Sequence, residues 1–271
     1  MSEVAELSPA DVRTRIRSGG WRGMTTGAAL GHVQANLVVL PEDISADFTA
    51  MCERNPRALP LLEHTAPGVP DRLVTAPGAD LRTDLASYDI HHGGVRTGQV
   101  GSLDDHWRDH LVAFVLGCSF SAENRLLEAG VRLRHLELGQ GVPMYVTSLE
   151  CTPVGPFNGP IVVSMRPIRR DQVDRAVEVT EALPLAHGAP LQVGEPEGIG
   201  IADLAAPDWG DAIEPAADEV PVFWACGVTP QAIIRTVRPE FAITHTPGHM
   251  FVTDLLDHEI VGRTSLPDGR R

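Results

Sequence analysis

The chain of 271 residues is long enough for one large domain or two smaller ones, and its 43% hydrophobic and 21% charged residues are typical of a globular protein. Its 22 basic and 36 acidic residues give a formal net charge of −14, which argues against a phosphate-backbone partner, so we expect no nucleic acid. All of the basic residues are Arg, and a chain without Lys cannot form a pyridoxal phosphate (PLP) Schiff base or a Walker-type phosphate site, so we expect no PLP and no nucleotide.

The cysteines and the first residues bear on where the protein acts. The four Cys lie far apart, with no pair at two-residue spacing, which excludes a zinc ribbon or a redox dithiol motif at the level of sequence. The chain begins MSEVAELSPADV, without the basic start and apolar stretch of a signal peptide. No apolar run approaches the roughly 20 residues that span a bilayer. We therefore expect a cytoplasmic protein with reduced thiols and no membrane partner.

Local patterns predict helices and strands along the whole chain. Ser8 as N-cap, Pro9 in the first turn and Gly19 as a stop favour a helix over 8–19. Apolar residues at helical spacing predict another helix over 104–116. The other predictions are, in chain order, a strand 34–40, a helix 42–54, loop over 59–77, an exposed turn at His91-His92, a helix 121–130, strands 142–149 and 160–165, a helix 171–182, a surface loop 185–221, a strand 220–225, a helix from Thr229, and strands 241–244 and 250–255 around a turn.

The order of these elements predicts the fold class. Helices alternate with strands, which favours an α/β fold with a mixed sheet, arranged as an α/β/α sandwich. The Gly- and Pro-rich middle of the chain suggests a second, smaller α+β domain. We therefore expect a discontinuous main domain of residues 1–120 plus 215–261, a smaller domain of residues 121–214, and a disordered tail of residues 262–271.

Several long polar strings at the ends of predicted elements are rare enough to identify a family. The strings GHVQANLVVLP, VVSMRP, PVFWACGVTPQ and ITHTPGHMFVTD resemble those of the D-glutamate cyclase family, and the resemblance extends from about Arg17 to Leu255. It implies a two-domain α/β lyase that removes water from D-glutamate to give 5-oxo-D-proline, with Mg²⁺ or Mn²⁺ as a cofactor. One position departs from the expected pattern, because Val146 stands where we expect an Arg after the Tyr of the V-P-M-Y string. This departure leaves D-glutamate itself open as the substrate.

The alternatives therefore stay within small carboxylate chemistry. The first is a dehydratase or hydratase that acts on another small amino or carboxylic acid in a biosynthetic pathway. The second is a carboxylate-binding protein without catalytic activity. In each case the partner is a small carboxylate, and base rates favour a homodimer or another homo-oligomer.

A carboxylate substrate needs cationic or N–H partners. Arg54, Arg82 and Arg166 lie in loop or strand-end strings, where each is a candidate clamp or pairs with a local acid instead. Arg166 ends a predicted buried strand, the position at which open α/β sheets bind ligands. Thr229 begins a predicted helix whose free N–H groups suit a carboxylate, or it is simply an N-cap. The other predicted substrate-binding residues in these strings are Asn36, Ser119 and Gln231.

Removal of water also needs a proton carrier and assistance to the leaving oxygen. His249, His187 and His245 are candidate bases, although a hydrogen-bonded hairpin turn would also explain the His245–His249 spacing. Together with Asp254, His245 and His249 are also candidate metal ligands. Glu123, if buried with a raised pKa, would protonate the leaving oxygen, although a first-turn acid at this position is also favoured by the helix dipole.

Overall fold

The computed structural model describes residues 3–266 and contains two antiparallel sheets with helices packed around them. The helices are α1 (Pro9–Arg17), α2 (Ser45–Arg54), α3 (Phe120–Glu128), α4 (Arg134–Leu138), α5 (Val173–Glu181) and α6 (Thr229–Val237). The strands are β1 (His32–Pro41), β2 (Leu61–His64), β3 (Tyr88–His92), β4 (Val95–Val100), β5 (Leu111–Gly117), β6 (Met144–Glu150), β7 (Pro160–Arg169), β8 (Gln192–Val193), β9 (Glu219–Ala225), β10 (Phe241–His245) and β11 (Phe251–Leu256).

The first sheet is built around β1. Its order is β2-β5-β1-β10-β3-β4, and β11 also pairs with β1. Strands β10 and β11 both run antiparallel to β1, β10 beside Val38 and Val39 and β11 beside residues 32–35. They therefore follow one another along the same edge of β1, and the segment 246–250 bulges out between them. This interruption in the sheet lies opposite residues 36–37, and the candidate site is located there.

The second sheet has the order β6-β7-β9-β8. Side chains alternate between its two faces, as the pleat requires. On one face Ile168, Val222 and Trp224 pack with residues of α3 and α5, including Leu126 and Ala176. On the other face Tyr145, Val163, Met165 and Phe223 pack with Ile199 and Ile201 of the long connection between β8 and β9. Residues on both faces of β7 are thus buried, which explains its nearly continuous apolar sequence.

The predicted combination of helices and strands is confirmed, but two details are wrong. Every strand pairing among residues 3–266 is antiparallel, whereas we expected a mixed sheet. The predicted helix over 104–116 is also wrong, because Leu111–Gly117 forms β5 between β1 and β2. This strand is buried on both faces, so a continuous apolar run replaces the alternation that would have marked it as a strand.

The short strands β2, β3 and β4 were not predicted. The segment 59–77 contains β2 at its start, and His91-His92 lies in β3 rather than in an exposed turn, with His91 buried. The turn itself is at Gly93-Gly94, which joins β3 to β4, and both of these glycines have positive φ. Only the turn was visible in the sequence, because the flanking strands carry several polar residues.

The predicted domain boundaries cut across the second sheet. Strand β9 pairs with β7 and β8, whereas the prediction grouped residues 215–261 with residues 1–120. Of the tail predicted to be disordered, residues 262–266 are described and Leu266 packs in the core of the first sheet, while residues 267–271 lie outside the described residues. Within the described chain, no helix has the length and apolar character needed to cross a membrane. The domain division, the cytoplasmic location and the homodimer stay predictions.

Candidate functional site

A cavity of about 260 Å³ lies between the two sheets. Its volume is below that of typical drug-sized sites and suits a small molecule. Both sheets contribute to it, together with the start of α3 and the turn before α6. Its lining residues are Met24, Thr26, Asn36, Cys118, Ser119, Phe120, Gly141, Val142, Met144, Ser164, Gly210, Asp211, Cys226, Val228, His245, Pro247, Gly248 and Met250.

His245 enters the cavity at the interruption between β10 and β11. Its Nδ1 atom lies 3.3 Å from both the backbone nitrogen and the backbone oxygen of Leu37, the β1 residue that faces the interruption. The imidazole thus takes the place of the missing strand as the partner of the Leu37 backbone. Gln231 fixes the same residue from α6, since its Nε2 donates to the carbonyl oxygen of His245 at 2.9 Å.

The second nitrogen of His245 is free for chemistry. The ring is 1% exposed, and its Nε2 atom has no hydrogen-bond partner among residues 3–266. Burial lowers the pKa of His245 to about 4, so the imidazole is neutral near pH 7. A buried imidazole nitrogen without a partner costs free energy unless a ligand satisfies it. His245 is therefore the candidate proton carrier for this cavity.

The bulge after His245 is held in place by the segment before β1. The Thr25 backbone nitrogen donates to the Gly248 carbonyl at 2.9 Å, and the Thr25 hydroxyl accepts from the Met250 nitrogen at 3.0 Å. That hydroxyl donates in turn to Gln34 Oε1 at 2.7 Å. Gly248 has a φ of 83° and lies against Met24, where a side chain would collide. The wall of the cavity formed by Pro247, Gly248 and Met250 is therefore a fixed part of the fold.

The opposite wall contains a buried ion pair. Arg166 is 2% exposed and its Nη2 donates to Glu123 Oε1 at 2.6 Å. The same guanidinium donates from Nη1 to Ser164 Oγ at 3.1 Å and from Nη2 to Ser119 Oγ at 3.2 Å. It also lies 5.7 Å from the ring centroid of Trp224. Arg166 thus holds both serine hydroxyls from behind the cavity surface.

The environment of Glu123 argues against its predicted role as an acid. Burial acts to raise its pKa, but the neighbouring charges of His135 and Arg166 outweigh burial and lower the pKa below its usual value. His135 Nε2 is 3.0 Å from Glu123 Oε1. Glu123 is therefore a carboxylate that anchors Arg166, and it does not line the cavity.

The three predicted arginine clamps do not contact the cavity. Arg166 lies one layer behind it, in the middle of β7 rather than at its end. Arg82 pairs with Asp80 at 2.6 Å on a separate part of the surface. Arg54 is exposed at the end of α2. For Arg82, pairing with a local acid is the alternative that the structure favours.

Three other predicted residues surround the cavity in different ways. Asn36 lines it and donates from Nδ2 to the Gly117 carbonyl at 2.6 Å. The Thr229 hydroxyl donates to the Cys226 carbonyl at 2.7 Å and accepts from the Val162 nitrogen at 3.1 Å, so it joins the start of α6 to β7. Thr229 and Gln231 are buried behind the lining residues and position the turn and His245, rather than contacting a ligand.

His187 and His249 lie outside the cavity lining. His187 is fully buried, its Nδ1 is 2.7 Å from the Arg57 carbonyl oxygen, and burial lowers its pKa to about 4. Its φ of 76° places it in the left-handed region before Gly188. His249 Nδ1 lies 3.1 Å from the Pro247 carbonyl oxygen, within the bulge. The alternative explanation of a hairpin turn is not supported, since β10 and β11 each pair with β1 and not with each other.

The predicted metal ligands do not form a site. The carboxylate of Asp254 is engaged by Arg13 at 3.0 Å, and Nδ1 of His245 faces Leu37. Within residues 3–266, no group of three His, Cys, Asp or Glu side chains has an arrangement that could hold a metal ion. His245, His249 and Asp254 therefore do not fit the metal site that was predicted for them.

Ser164 is a site residue that the sequence interpretation missed. It stands two positions before Arg166, so the two side chains share one face of β7, and this spacing was visible in the sequence. The thiols of Cys118 and Cys226 also line the cavity, and burial raises the pKa of both, so both are protonated. No sequence pattern marks the three lining methionines.

A larger groove of about 790 Å³ lies at the opposite ends of β1 and β10. It contains exposed side chains such as His92 and His110, and none of the predicted site residues lines it. The smaller cavity has the unpartnered His245 nitrogen and the hydroxyls held by Arg166. We therefore assign the chemistry to the smaller cavity.

Replacing Gly227 with Ala tests the wall formed by Asn36. A Cβ atom at Gly227 would collide with the amide of Asn36, which is buried and bonded to Gly117. We expect a loss of about 1–3 kcal/mol in the free energy of unfolding, measured by urea denaturation. Gly98→Ala is the control, because nothing lies within 4 Å of its added Cβ. Equal stability of the two variants would contradict the close packing of Asn36 and Gly227.

Comparison with known proteins supports the resemblance seen in the strings. The sequence model described as "D-glutamate cyclase" matches residues 112–254. A protein of Thermoanaerobacter sp. (strain X514) named "Putative hydro-lyase" is 52% identical over 251 residues, covering 93% of this chain and 95% of the relative. A protein of the same name from Stutzerimonas stutzeri (strain A1501) is 51% identical over 260 residues, covering 96% and 98%. The match thus extends over nearly the whole chain, and the protein belongs to the D-glutamate cyclase family.

Proposed function

We propose that the protein is a hydro-lyase that acts on a small carboxylic acid bound in the cavity between the two sheets. The observation that carries the proposal is the buried, neutral His245 imidazole, whose Nε2 has no partner within the described chain. The family and the names of the relatives support removal of water as the class of reaction. The small volume of the cavity supports a substrate of few atoms.

The specific reaction that we propose is cyclisation of D-glutamate to 5-oxo-D-proline. The α-amino nitrogen forms a bond to the γ-carboxyl carbon, and one γ-oxygen leaves as water. The ammonium group loses two protons, and the leaving oxygen gains two, so the reaction releases no net proton. A single group that accepts protons from nitrogen and donates them to oxygen can therefore serve both halves of the reaction.

His245 is suited to this transfer. Its low pKa keeps Nε2 able to accept a proton at neutral pH, and the imidazolium formed is a strong acid that returns the proton to the leaving oxygen. The contact of Nδ1 with Leu37 fixes the orientation of the ring. The apolar side chains in the lining, among them Phe120, Val142 and Met144, disfavour bulk water, which would favour the reverse reaction.

An NMR time course with D- and L-glutamate tests the proposed function. We expect 5-oxoproline to form from the D-enantiomer faster than in buffer alone, in the presence of Mn²⁺. Repetition with EDTA examines the metal requirement that the family resemblance implies. Activity lost with EDTA would indicate a metal held by ligands other than His245, His249 and Asp254. No turnover of either enantiomer would remove D-glutamate as the substrate.

Val146 favours a second candidate, which is dehydration of another small carboxylate. Its side chain packs with the apolar cluster of Val162, Cys226 and Val228, two of whose members line the cavity. An Arg at this position would bring a charge close to the cavity, and Val brings none. A screen of small amino and hydroxy acids for water loss tests this candidate. Binding of carboxylates without turnover of any of them would instead indicate a binding protein.

A further inference from the structure

A cavity that binds a carboxylate needs a counter-charge, yet its lining offers no cation. Among the described residues that line it, Asp211 is the one with a permanent charge, and its carboxylate accepts from the Gly141 backbone nitrogen at 2.7 Å. The substrate's negative charge must therefore be stabilised by lining groups that are themselves hydrogen-bonded to a cation outside the lining.

Ser119 and Ser164 are two such groups. Both line the cavity, and they are 6% and 2% exposed. Each hydroxyl oxygen accepts a hydrogen bond from a different terminal nitrogen of Arg166, Ser164 from Nη1 and Ser119 from Nη2. A hydroxyl that accepts in this way keeps its own hydrogen for donation. The two hydroxyls thus extend the forked geometry of the guanidinium toward the cavity.

We propose that Ser119 and Ser164 together bind the substrate carboxylate that does not react, with Arg166 as the positioning residue behind them. This proposal rests on the proposed function, in which the α-carboxylate persists in the product. Two hydroxyl donors held by one guanidinium match the two oxygens of one carboxylate. Arg166 thus supports bidentate recognition through the two serines, without touching the ligand itself. Glu123 anchors the guanidinium, since its Oε1 lies 2.6 Å from Arg166 Nη2.

The arrangement also has a consequence for specificity. A neutral amide presents one acceptor oxygen and one NH₂ group, which is a donor. In place of a carboxylate, it presents one acceptor oxygen to the two hydroxyl donors and carries no negative charge. The subsite therefore favours an anion over its uncharged isostere, although no cation touches the ligand.

Calorimetric titration with 5-oxo-D-proline and its neutral amide, 5-oxo-D-prolinamide, tests the subsite. We expect the wild-type protein to bind the acid at least 10-fold more tightly than the amide. Ser119→Ala and Ser164→Ala should each weaken binding of the acid about 10- to 100-fold, the effect of removing one hydrogen bond to a charged group, and should weaken binding of the neutral amide less. The same two variants should raise KM more than they lower kcat. Thermal melting confirms that each variant is folded.

Ser121→Ala is the matched control. Ser121 is buried in the first turn of α3, two residues after Ser119. Its hydroxyl bonds the backbone of Gln34, and Ser121 does not line the cavity. We expect it to lose stability without losing the preference for the acid. Wild-type affinity for the acid in both Ser119→Ala and Ser164→Ala would overturn the subsite, and so would a wild-type protein that binds no acid. Acid binding that depends on the serines, without turnover of D-glutamate, would overturn the proposed reaction and keep the subsite.

Discussion

Replacing His245 with Asn is expected to lower kcat/KM by about 10²- to 10⁴-fold, the usual contribution of one general acid–base group. The Asn amide reaches the position of Nδ1 and can keep a hydrogen bond to the Leu37 backbone, but it has no atom near Nε2. Stability should therefore change little. His245→Ala would lose both functions and should cost a further 1–3 kcal/mol in unfolding free energy, because a buried peptide group is left without its partner.

The control for this experiment is His249→Asn. His249 lies in the bulge beside His245 but does not line the cavity, so its replacement should lower kcat/KM far less. Steady-state kinetics on the three variants, with denaturant titrations of each, separate the two roles of the ring. If His249→Asn were the inactive variant and His245→Asn the active one, the assignment of the proton carrier would have to be reversed.

The pH dependence provides an independent test of His245. Because its pKa is about 4 in the folded protein, kcat/KM should stay high as the pH falls and decline only near pH 4, when the imidazole becomes protonated. The unfolded chain binds this proton already near pH 6.5. Stability should therefore fall as the pH drops from 6.5 to 4, by an amount on the order of 3 kcal/mol from this residue. His245→Asn should show a smaller loss of stability over the same pH range.

Most helices and strands could be predicted from local sequence, and the exceptions have physical causes. Strand β5 was predicted as a helix because burial on both faces removes the alternation that identifies a strand. Strands β10 and β11 were predicted, but their placement end to end along β1 was not. That placement depends on register between segments about 200 residues apart, which no local pattern records.

The candidate site shows the same division between local and long-range information. Asn36, Ser119 and His245 were identified from their polar strings, and all three line the cavity. The roles of Arg166 and Glu123 could not be predicted, because they depend on an ion pair between β7 and α3. Residue type identified the groups that can take part in binding or catalysis. Only tertiary contacts determine which of these groups reach a ligand.

Replacing Arg166 with Met is expected to cost about 3–5 kcal/mol in the free energy of unfolding, because it leaves the Glu123 carboxylate buried without the guanidinium that donates to it. The matched control is Arg132→Met, which removes an Arg that bonds both oxygens of Glu137 in an exposed pair. No measurable loss of stability is expected there, since solvent screens that pair. Urea denaturation at pH 7 measures both variants.

The double variant Arg166→Met with Glu123→Leu separates the structural role of the ion pair from its role in binding. Apolar side chains of similar volume often replace a buried ion pair at little cost, so we expect most of the lost stability to return. The serine hydroxyls would remain in the cavity without the charge behind them, and binding of 5-oxo-D-proline should still be weakened about 10-fold or more. A double variant that is stable and binds the acid as tightly as the wild-type protein would show that Arg166 serves folding alone. A stable double variant with weakened binding would show that the buried charge of Arg166 serves ligand binding. Glu123 would then offset the free-energy cost of burying that charge.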